Sequence, residues 1–353
     1  MENKGWKGNF FEDFALEQEL DCPVPRTVTS GDISTYIALT GDRTPVYCGP
    51  TGYVHPLVTF HVVFGQTVRQ ISLNARANLG YAGIKWKKPV KLGDTLKMRL
   101  KIVGLKENSS GKTGIVWVEN VATNQNDEEV LTFYRWVMIK KKGSEPTKWA
   151  DDPVIPEMPD QVDPSELVVN EEAIPTLRET GSQLVFEDYE AGERILHYDG
   201  MAVNHSDHMS FTRLFQNSSK VHFDAKMMDG KPLIYGGVPI SLGYAMSFNG
   251  LQNRVGICGI NAGSHTAPLY SGDTVYAFTD VIETAELDND NVGALRLRLV
   301  CMKNIDPAKL DDPQGFELKI DHPDKPGRKK YNDGVILDLD YWDLVPTKAG
   351  FDA

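Results

Sequence analysis

One imidazole in the second half of the chain stands where proton-transfer chemistry could be done. His222 follows a side-chain amide, Asn217, by five residues, within the segment running from Phe211 to Asp224. Histidine can both take and give a proton near neutral pH. An earlier segment, Tyr36 to Tyr47, has the same layout, with Asp42 in the place of Asn217 and Tyr47 in the place of His222. A phenol, with a reference pKa near ~10, is a poor base at neutral pH. The motif is therefore written twice, and its second copy alone keeps a group for general acid–base work. The competing reading of His222 is a histidine that ties down a loop. Asn217 cannot titrate, but it can hold a water by donating and accepting hydrogen bonds. Asp207 and His208 precede the motif closely enough to join it. For Asp207 the alternative is a helix cap, because Asp32 has the equivalent place in the first copy.

Three further groups of residues bear on binding. Tyr235, Gly236 and Gly237 come just before a long apolar segment read as a helix. Backbone N–H groups at a helix start can stabilise a developing enolate oxygen, and Gly237 is the candidate donor; a plain turn is the alternative. The first copy has Pro56-Leu57-Val58 near that place. Arg213, Lys220 and Arg26 are candidates to meet a substrate carboxylate, for which a guanidinium fork is suited, although each taken singly also fits a solvated surface charge. Lys85, Lys87, Lys88 and Lys91, with Arg76, form a basic cluster that could meet phosphates or simply line a strand edge. No set of His, Cys and carboxylates has ligand spacing, so neither a metal nor a separate cofactor is expected.

The elements that must position these residues also come in two copies. Phe11-Glu12-Asp13-Phe14 returns as Phe186-Glu187-Asp188-Tyr189, 175 residues on, and Asp32 and Asp207 keep that offset. Pro89-Val90-Lys91-Leu92-Gly93-Asp94 matches Pro268-Leu269-Tyr270-Ser271-Gly272-Asp273 at an offset of 179, which implies a four-residue insertion in the second copy. A period this long is a duplicated domain, not a solenoid unit. In each copy a short helix, opened in the first by Ser30-Gly31-Asp32, leads to the motif. A long helix follows, apolar around much of its circumference: about Pro56 to Asn74, and about Val238 to Gln252. Alternating strands come next: 95–102, 114–118 and 130–137 in the first copy, then 274–282, 294–302 and 335–344 in the second. Antiparallel strands curled around one buried helix satisfy this pattern. The units are expected at 10–142 and 183–345. The stretch 143–182, rich in proline and acids, reads as an extended surface connector. Residues 306–333 read as an insertion or long loop.

Composition narrows the class. Of 353 residues, 41% are hydrophobic and 24% charged, as in soluble globular proteins. A net charge of -12 argues against nucleic acid as a partner. Cys22, Cys48, Cys258 and Cys301 form no CxxC pair, which suits a reducing, cytoplasmic setting. The stretch Met1 to Lys7 lacks a signal-peptide apolar core, and no apolar run approaches the ~20 residues of a membrane helix.

Together these features resemble the MaoC-like hydratase/dehydratase family, whose motif is roughly Gly-Asp-x-Asn-Pro-hydrophobic-His. The first copy keeps Gly41, Asp42 and Pro45 but has Tyr47 for the histidine. The second keeps Val221-His222 but has Asn217 for the aspartate and Lys220 for the proline. Within it, Asn78-Leu79-Gly80-Tyr81-Ala82-Gly83, Val221-His222-Phe223 and Ser247-Phe248-Asn249-Gly250-Leu251 are similar to mesaconyl-CoA hydratases, also called β-methylmalyl-CoA dehydratases. The resemblance implies an α+β fold of two tandem hot-dog units, each an antiparallel sheet wrapped around a helix, and assembly into a homo-oligomer. It implies a lyase that reversibly hydrates a branched enoyl-CoA, with coenzyme A as part of the substrate. His222 would then be the acid–base, Asn217 a water holder and Gly237 the amide on the thioester carbonyl. Tyr235, Gly236, Asp207 and His208 would lie at the substrate, Arg213 and Lys220 at its free carboxylate, and Lys85, Lys87, Lys88 and Arg76 at the CoA phosphates. Two rivals remain: a hot-dog acyl-CoA thioesterase, and an acyl-CoA-binding subunit without catalysis.

Overall fold

The computed structural model describes residues 4–351. Met1, Glu2 and Asn3, which open the stretch read above for a signal peptide, lie outside the described residues. The first half contributes β1 (Glu19–Thr27), β2 (Ala75–Trp86), β3 (Thr95–Glu107), β4 (Thr113–Thr123) and β5 (Glu129–Lys140). The second contributes β6 (Arg194–Ala202), β7 (Gly256–His265), β8 (Thr274–Glu286), β9 (Val292–Lys303) and β12 (Val335–Pro346); β10 (Lys319–Asp321) and β11 (Lys329–Tyr331) form a separate small hairpin. All ten large strands make one antiparallel sheet in the order β1-β3-β4-β5-β2-β7-β12-β9-β8-β6. The two copies thus join edge to edge at β2 and β7.

The helices of the first half are α1 (Ser30–Thr40), α2 (Pro45–Cys48) and α3 (Pro56–Ile71). The one-turn α4 (Leu177–Thr180) closes the connector, α5 (His205–Leu214) and α6 (Gly237–Met246) belong to the second half, and α7 (Lys348–Phe351) follows β12. Every residue of α6 is buried, as is most of α3, so each is the wrapped helix that its all-round apolarity predicts. Alternation in the strands turns one face towards these helices: in β5, Leu131, Phe133, Arg135, Val137 and Ile139 are buried while Thr132, Tyr134, Trp136 and Met138 between them are half-exposed. Arg135 is the one charged residue of that row.

The two copies are related closely in space. Ala82 pairs with Ala262 across the seam, and His61 of α3 bonds Ser241 of α6 at 2.9 Å; both pairs are 180 residues apart, so corresponding positions meet each other. The Val54 N–H donates to the Val90 carbonyl at 2.9 Å, and the Ile234 N–H to the Leu269 carbonyl at 3.1 Å. These matching bonds put the extra residues of the second copy between His222 and Ile234.

Three expectations need correction. Strands β2 and β7 were not foreseen, because Gly80, Gly83, Gly256, Gly259 and Gly263 dilute their β-branched and aromatic content. One reason for glycine here is close approach: a Cβ on Gly263 would lie 2.0 Å from the Tyr81 ring. Helix α6 stops at Met246, six residues early, where Ser247 turns its hydroxyl onto the Tyr244 carbonyl and Asn249 bonds to His197 on β6. The connector is extended but not merely superficial. Val162 and Ala173 are buried in a cluster with Tyr47, Tyr53 and Trp342, and Val162 exchanges hydrogen bonds with Asn261 and the Trp342 indole. Residues 306–333 hold the β10–β11 hairpin, with Phe316, Leu318 and Tyr331 packed on Phe278 and Val300.

Candidate active site

A cavity of about 330 Å³ lies between the halves. The first half supplies Phe60, Phe64 and Val68 from α3, with Tyr81 and Arg135 from the sheet; the second supplies Asn217, His222, Tyr235, Gly236, Gly237 and His265. Neither half could build it alone.

His222 ends a short 3₁₀ turn, Lys220–His222, and is buried. Its Nδ1 is 2.7 Å from the Leu233 carbonyl oxygen. A carbonyl only accepts, so Nδ1 carries the proton and the neutral ring offers its Nε2 lone pair. Nε2 has no hydrogen-bond partner among the described residues and stays accessible. Burial lowers the His222 pKa, partly countered by the Leu233 carbonyl, so the ring is a neutral base at pH 7.

Asn217 follows Gln216, which takes the left-handed conformation (φ 53°). Its Oδ1 accepts the Ser219 N–H at 3.1 Å, closing a side-chain turn. Its Nδ2 makes no hydrogen bond to the described residues and remains free to hold a water. At the start of α6, the Gly236 and Gly237 N–H groups donate to no acceptor among the described residues, whereas the Val238 N–H is taken by the Tyr235 carbonyl. These are the free donors that a helix N-terminus leaves. Side chains are excluded at both: a Cβ on Gly236 would lie 2.6 Å from His265, and one on Gly237 2.5 Å from Tyr235. The Tyr235 ring lies edge-on to His222, and its hydroxyl is 3.3 Å from His61 Nδ1.

Sequence reasoning missed His265, His61 and Arg135. His265 Nε2 is 3.1 Å from the Tyr81 hydroxyl. By area His265 is exposed, but that area faces the cavity, and the protein packed around the ring still lowers its pKa to about 4. Arg135 carried a readable signal, a charge on the apolar face of an alternating strand.

Several candidates lie elsewhere. Asp207 sits in the first turn of α5 and accepts from the Asn204 and Ser206 side chains, without the backbone N–H bond that Asp32 accepts from Thr29 in the first copy. The buried His208 ring lies at a different cavity, of about 240 Å³, with no hydrogen-bond partner for either nitrogen among the described residues; burial, then His222 and His205, lower its pKa to about 4. Arg213 and Lys220 are exposed and do not line the His222 cavity. Arg26 is committed to Asp32 and the Leu214 carbonyl. Of the basic cluster, Arg76 alone lines the cavity. Lys85 pairs with Glu166 and Lys88 with Glu128, and they stand with Lys87 at the far end of β2, roughly 30 Å along the strand from Arg76. The cluster is continuous in sequence but divided in space.

The family model described as mesaconyl-CoA hydratase matches residues 2–308. A mesaconyl-CoA hydratase of Cereibacter sphaeroides is 45% identical over 96% of this chain and 98% of its own. The chain belongs to the mesaconyl-CoA hydratase family. A β-methylmalyl-CoA dehydratase of Chloroflexus aurantiacus is 40% identical over 99% of this chain and 100% of its own. The family's enzymes are hydro-lyases. A crystal structure from Chloroflexus aurantiacus, assigned to the MaoC-domain dehydratases, superposes with a TM-score of 0.89 at 39% identity, covering 98% of this chain and 100% of that one. A conserved hypothetical protein of Mycobacterium tuberculosis with a double hot-dog fold gives 0.73 at 22% identity, covering 96% and 99%, and supports the fold. The double hot-dog expected from the motifs is the architecture of this family member.

The first half of this chain holds the matching place, but it is much smaller. Its cavity, beside Tyr47, is about 50 Å³ and is walled by Val168, Asn170 and Ala173 of the connector. Asp42 makes the same turn as Asn217, its Oδ1 accepting the Thr44 N–H at 2.9 Å. Its Oδ2 faces His55 at 3.5 Å and Arg254 at 3.8 Å. Burial opposes its ionisation, but His55, Arg254 and the Thr44 N–H outweigh burial and hold the pKa well below the carboxylate range. Pro56 has no N–H, and the Leu57 N–H is taken by His55 Nδ1 at 3.0 Å. Nearby Asp343 is buried, and burial raises its pKa to about 7 against the pull of Arg254.

Proposed function

We propose that the protein reversibly adds water to a branched C5 dicarboxylic enoyl-CoA, converting mesaconyl-CoA to β-methylmalyl-CoA, at the cavity holding His222. One observation carries this reading: an accessible, neutral imidazole nitrogen and unpaired amides at a buried helix start share one cavity. In hydration the thioester oxygen lies on the Gly237 N–H, with Gly236 beside it. His222 Nε2 takes a proton from a water held by the Asn217 amide. The water oxygen bonds the β-carbon while the double-bond electrons pass to the thioester oxygen as an enolate, which the amides stabilise. The imidazolium then returns a proton to the α-carbon. Atoms balance with water as the sole co-reactant, and the steps use only side chains, backbone amides and water.

The names and the identity of the two curated relatives support the substrate. The labour is divided: residues 183–345 carry the chemistry, residues 10–142 wall the acyl pocket, and 143–182 seal the retired site. Arg76, at the cavity wall, is placed to meet a CoA phosphate. Among the described residues no helix is long and apolar enough to cross a membrane. The four free cysteines suit a reducing cytoplasm. A homo-oligomer is part of the same reading, and light scattering tests it.

The deciding experiment incubates the protein with mesaconyl-CoA, following loss of enoyl-thioester absorbance and gain of one water by mass. Conversion without free thiol is expected. Release of coenzyme A thiol in place of the hydrate would make the protein a thioesterase, and tight binding without turnover would make it a binder.

A further inference from the structure

Arg135 is a buried cation without an anion. It is fully buried, and no carboxylate lies within ion-pair distance among the described residues. Its Nη2 donates to Ser72 Oγ at 2.9 Å, while Nε and Nη1 have no hydrogen-bond partner among the described residues. The guanidinium lies over the Phe64 ring, 4.6 Å from its centre. Burial lowers its pKa to about 10, where it still stays charged at neutral pH, and it lies near enough to Tyr235 for the two to influence each other's ionisation.

An unpaired buried charge carries a large desolvation penalty, so buried cations are normally paired. Arg135 lines the same cavity as His222 and Tyr235, at the end walled by α3. The cations the sequence offered for a substrate carboxylate, Arg213, Lys220 and Arg26, are exposed or already engaged. We propose that Arg135 is the receptor for the free carboxylate of a dicarboxylic acyl thioester. The Gly236 and Gly237 amides hold the thioester end, and the guanidinium holds the other, with donors that match a carboxylate. A dicarboxylic acyl group supplies the missing anion; a monocarboxylic one leaves the cation buried and unpaired, which is how such a site rejects it. This inference deepens the hydratase reading and rests on its placing of the acyl group in this cavity.

The test separates binding from turnover. In the full chain carrying His222→Ala, dissociation constants are measured by calorimetry for mesaconyl-CoA and for tiglyl-CoA, in which a methyl replaces the carboxylate. Adding Arg135→Met should weaken mesaconyl-CoA about a hundredfold or more, the usual consequence of removing one partner of a buried charge pair, and leave tiglyl-CoA within about threefold. Arg135→Lys, which keeps the charge but loses the fork, should fall between. If the methionine variant fails to fold by circular dichroism, the lysine variant decides, with about a tenfold loss confined to mesaconyl-CoA. Equal weakening of both thioesters, or no preference for mesaconyl-CoA before Arg135 is changed, overturns the proposal. Turnover by the unsubstituted protein is scored separately. A protein that binds through Arg135 but hydrates nothing loses the hydratase reading and keeps this one.

Discussion

The two halves make the same turn with different chemistry. Asp42 and Asn217 each use Oδ1 to accept the N–H two residues on, so the turn needs an acceptor, not a charge. The halves part at the second oxygen or nitrogen. Asp42 Oδ2 is held between His55 and Arg254; Asn217 Nδ2 is left free at the cavity. They part again at the helix start, where His55 occupies the Leu57 N–H but Tyr235 leaves the Gly236 and Gly237 amides open. They part a third time in volume, about 50 against about 330 Å³. A duplicated fold can lose a site while keeping its turns, because turn geometry and chemistry rest on different atoms of the same residues.

The comparison is broken most directly at the base. His222→Ala should lower kcat by ~10²–10⁴, the range for losing a general acid–base, while Tyr47→Phe should change it less than about threefold. In the intact enzyme kcat/KM should rise with pH through the His222 pKa and then level. Burial lowers that pKa, so the inflection should fall below the ordinary ~6.5. An inflection above that value, or a folded His222→Ala protein with full activity, would move the site out of the second half.

The proposed base stood out in the sequence because it sits in a short motif with a partner copy to expose the difference. The repeat, both buried helices and most strands were legible for the same reason: period and apolar pattern are local properties. Strands β2 and β7 were not, since their glycines answer to neighbours such as Tyr81 that lie far off in the chain. The lysines 85, 87 and 88 misled because closeness in sequence does not survive a strand that carries Arg76 to its other end. Arg254 and His61 act through residues of the opposite half, a relation that no window of sequence contains. Arg135 belongs to neither group. Its place on an apolar strand face was visible, and only its missing partner required the structure.

Next in size is the proposed oxyanion donor. Gly237→Ala forces a methyl to 2.5 Å from Tyr235 and 2.8 Å from His61, which displaces the amide or the ring beside His222. Steady-state kinetics should show kcat down ~10²–10³, as for losing one oxyanion donor. The matched change Leu57→Ala should leave kcat alone and cost ~2–5 kcal/mol of stability, as for a buried leucine. If the two variants behaved alike in kcat, the open amides would have no special part.

Asn217→Asp sharpens the contrast at its subtlest point, because it writes the first copy's residue into the second. A carboxylate at 42 is tolerated through His55 and Arg254. The position matching His55 is Tyr235, and no arginine pairs with Asn217. A buried carboxylate with no cation has a raised pKa, and when ionised it favours the protonated form of His222. The substitution should therefore lower kcat/KM about ten- to a hundredfold at pH 7 and shift the acid limb of the pH profile upwards. Activity at or above the parent value would show that the amide is interchangeable with the acid.

The smallest expected effect is the most discriminating. If the first half had lost only its base, Tyr47→His in the His222→Ala background should restore turnover there. Three observations argue that it will restore none. Pro56 has no N–H to offer an enolate oxygen, and the Leu57 N–H is spent on His55 Nδ1. The surrounding space, about 50 Å³, is walled by connector residues and bounded by Tyr53, whose hydroxyl bonds Glu172 at 2.5 Å. An acyl thioester has no room to bring its β-carbon to an imidazole at position 47. An aligned base without a donor for the developing charge also forfeits the electrostatic share of catalysis. The double variant should be as inactive as His222→Ala alone, within about twofold, when assayed with mesaconyl-CoA at saturating concentration. Recovery of even one per cent of parental kcat would mean that the first half is dormant and not closed, and that the missing imidazole was its sole defect.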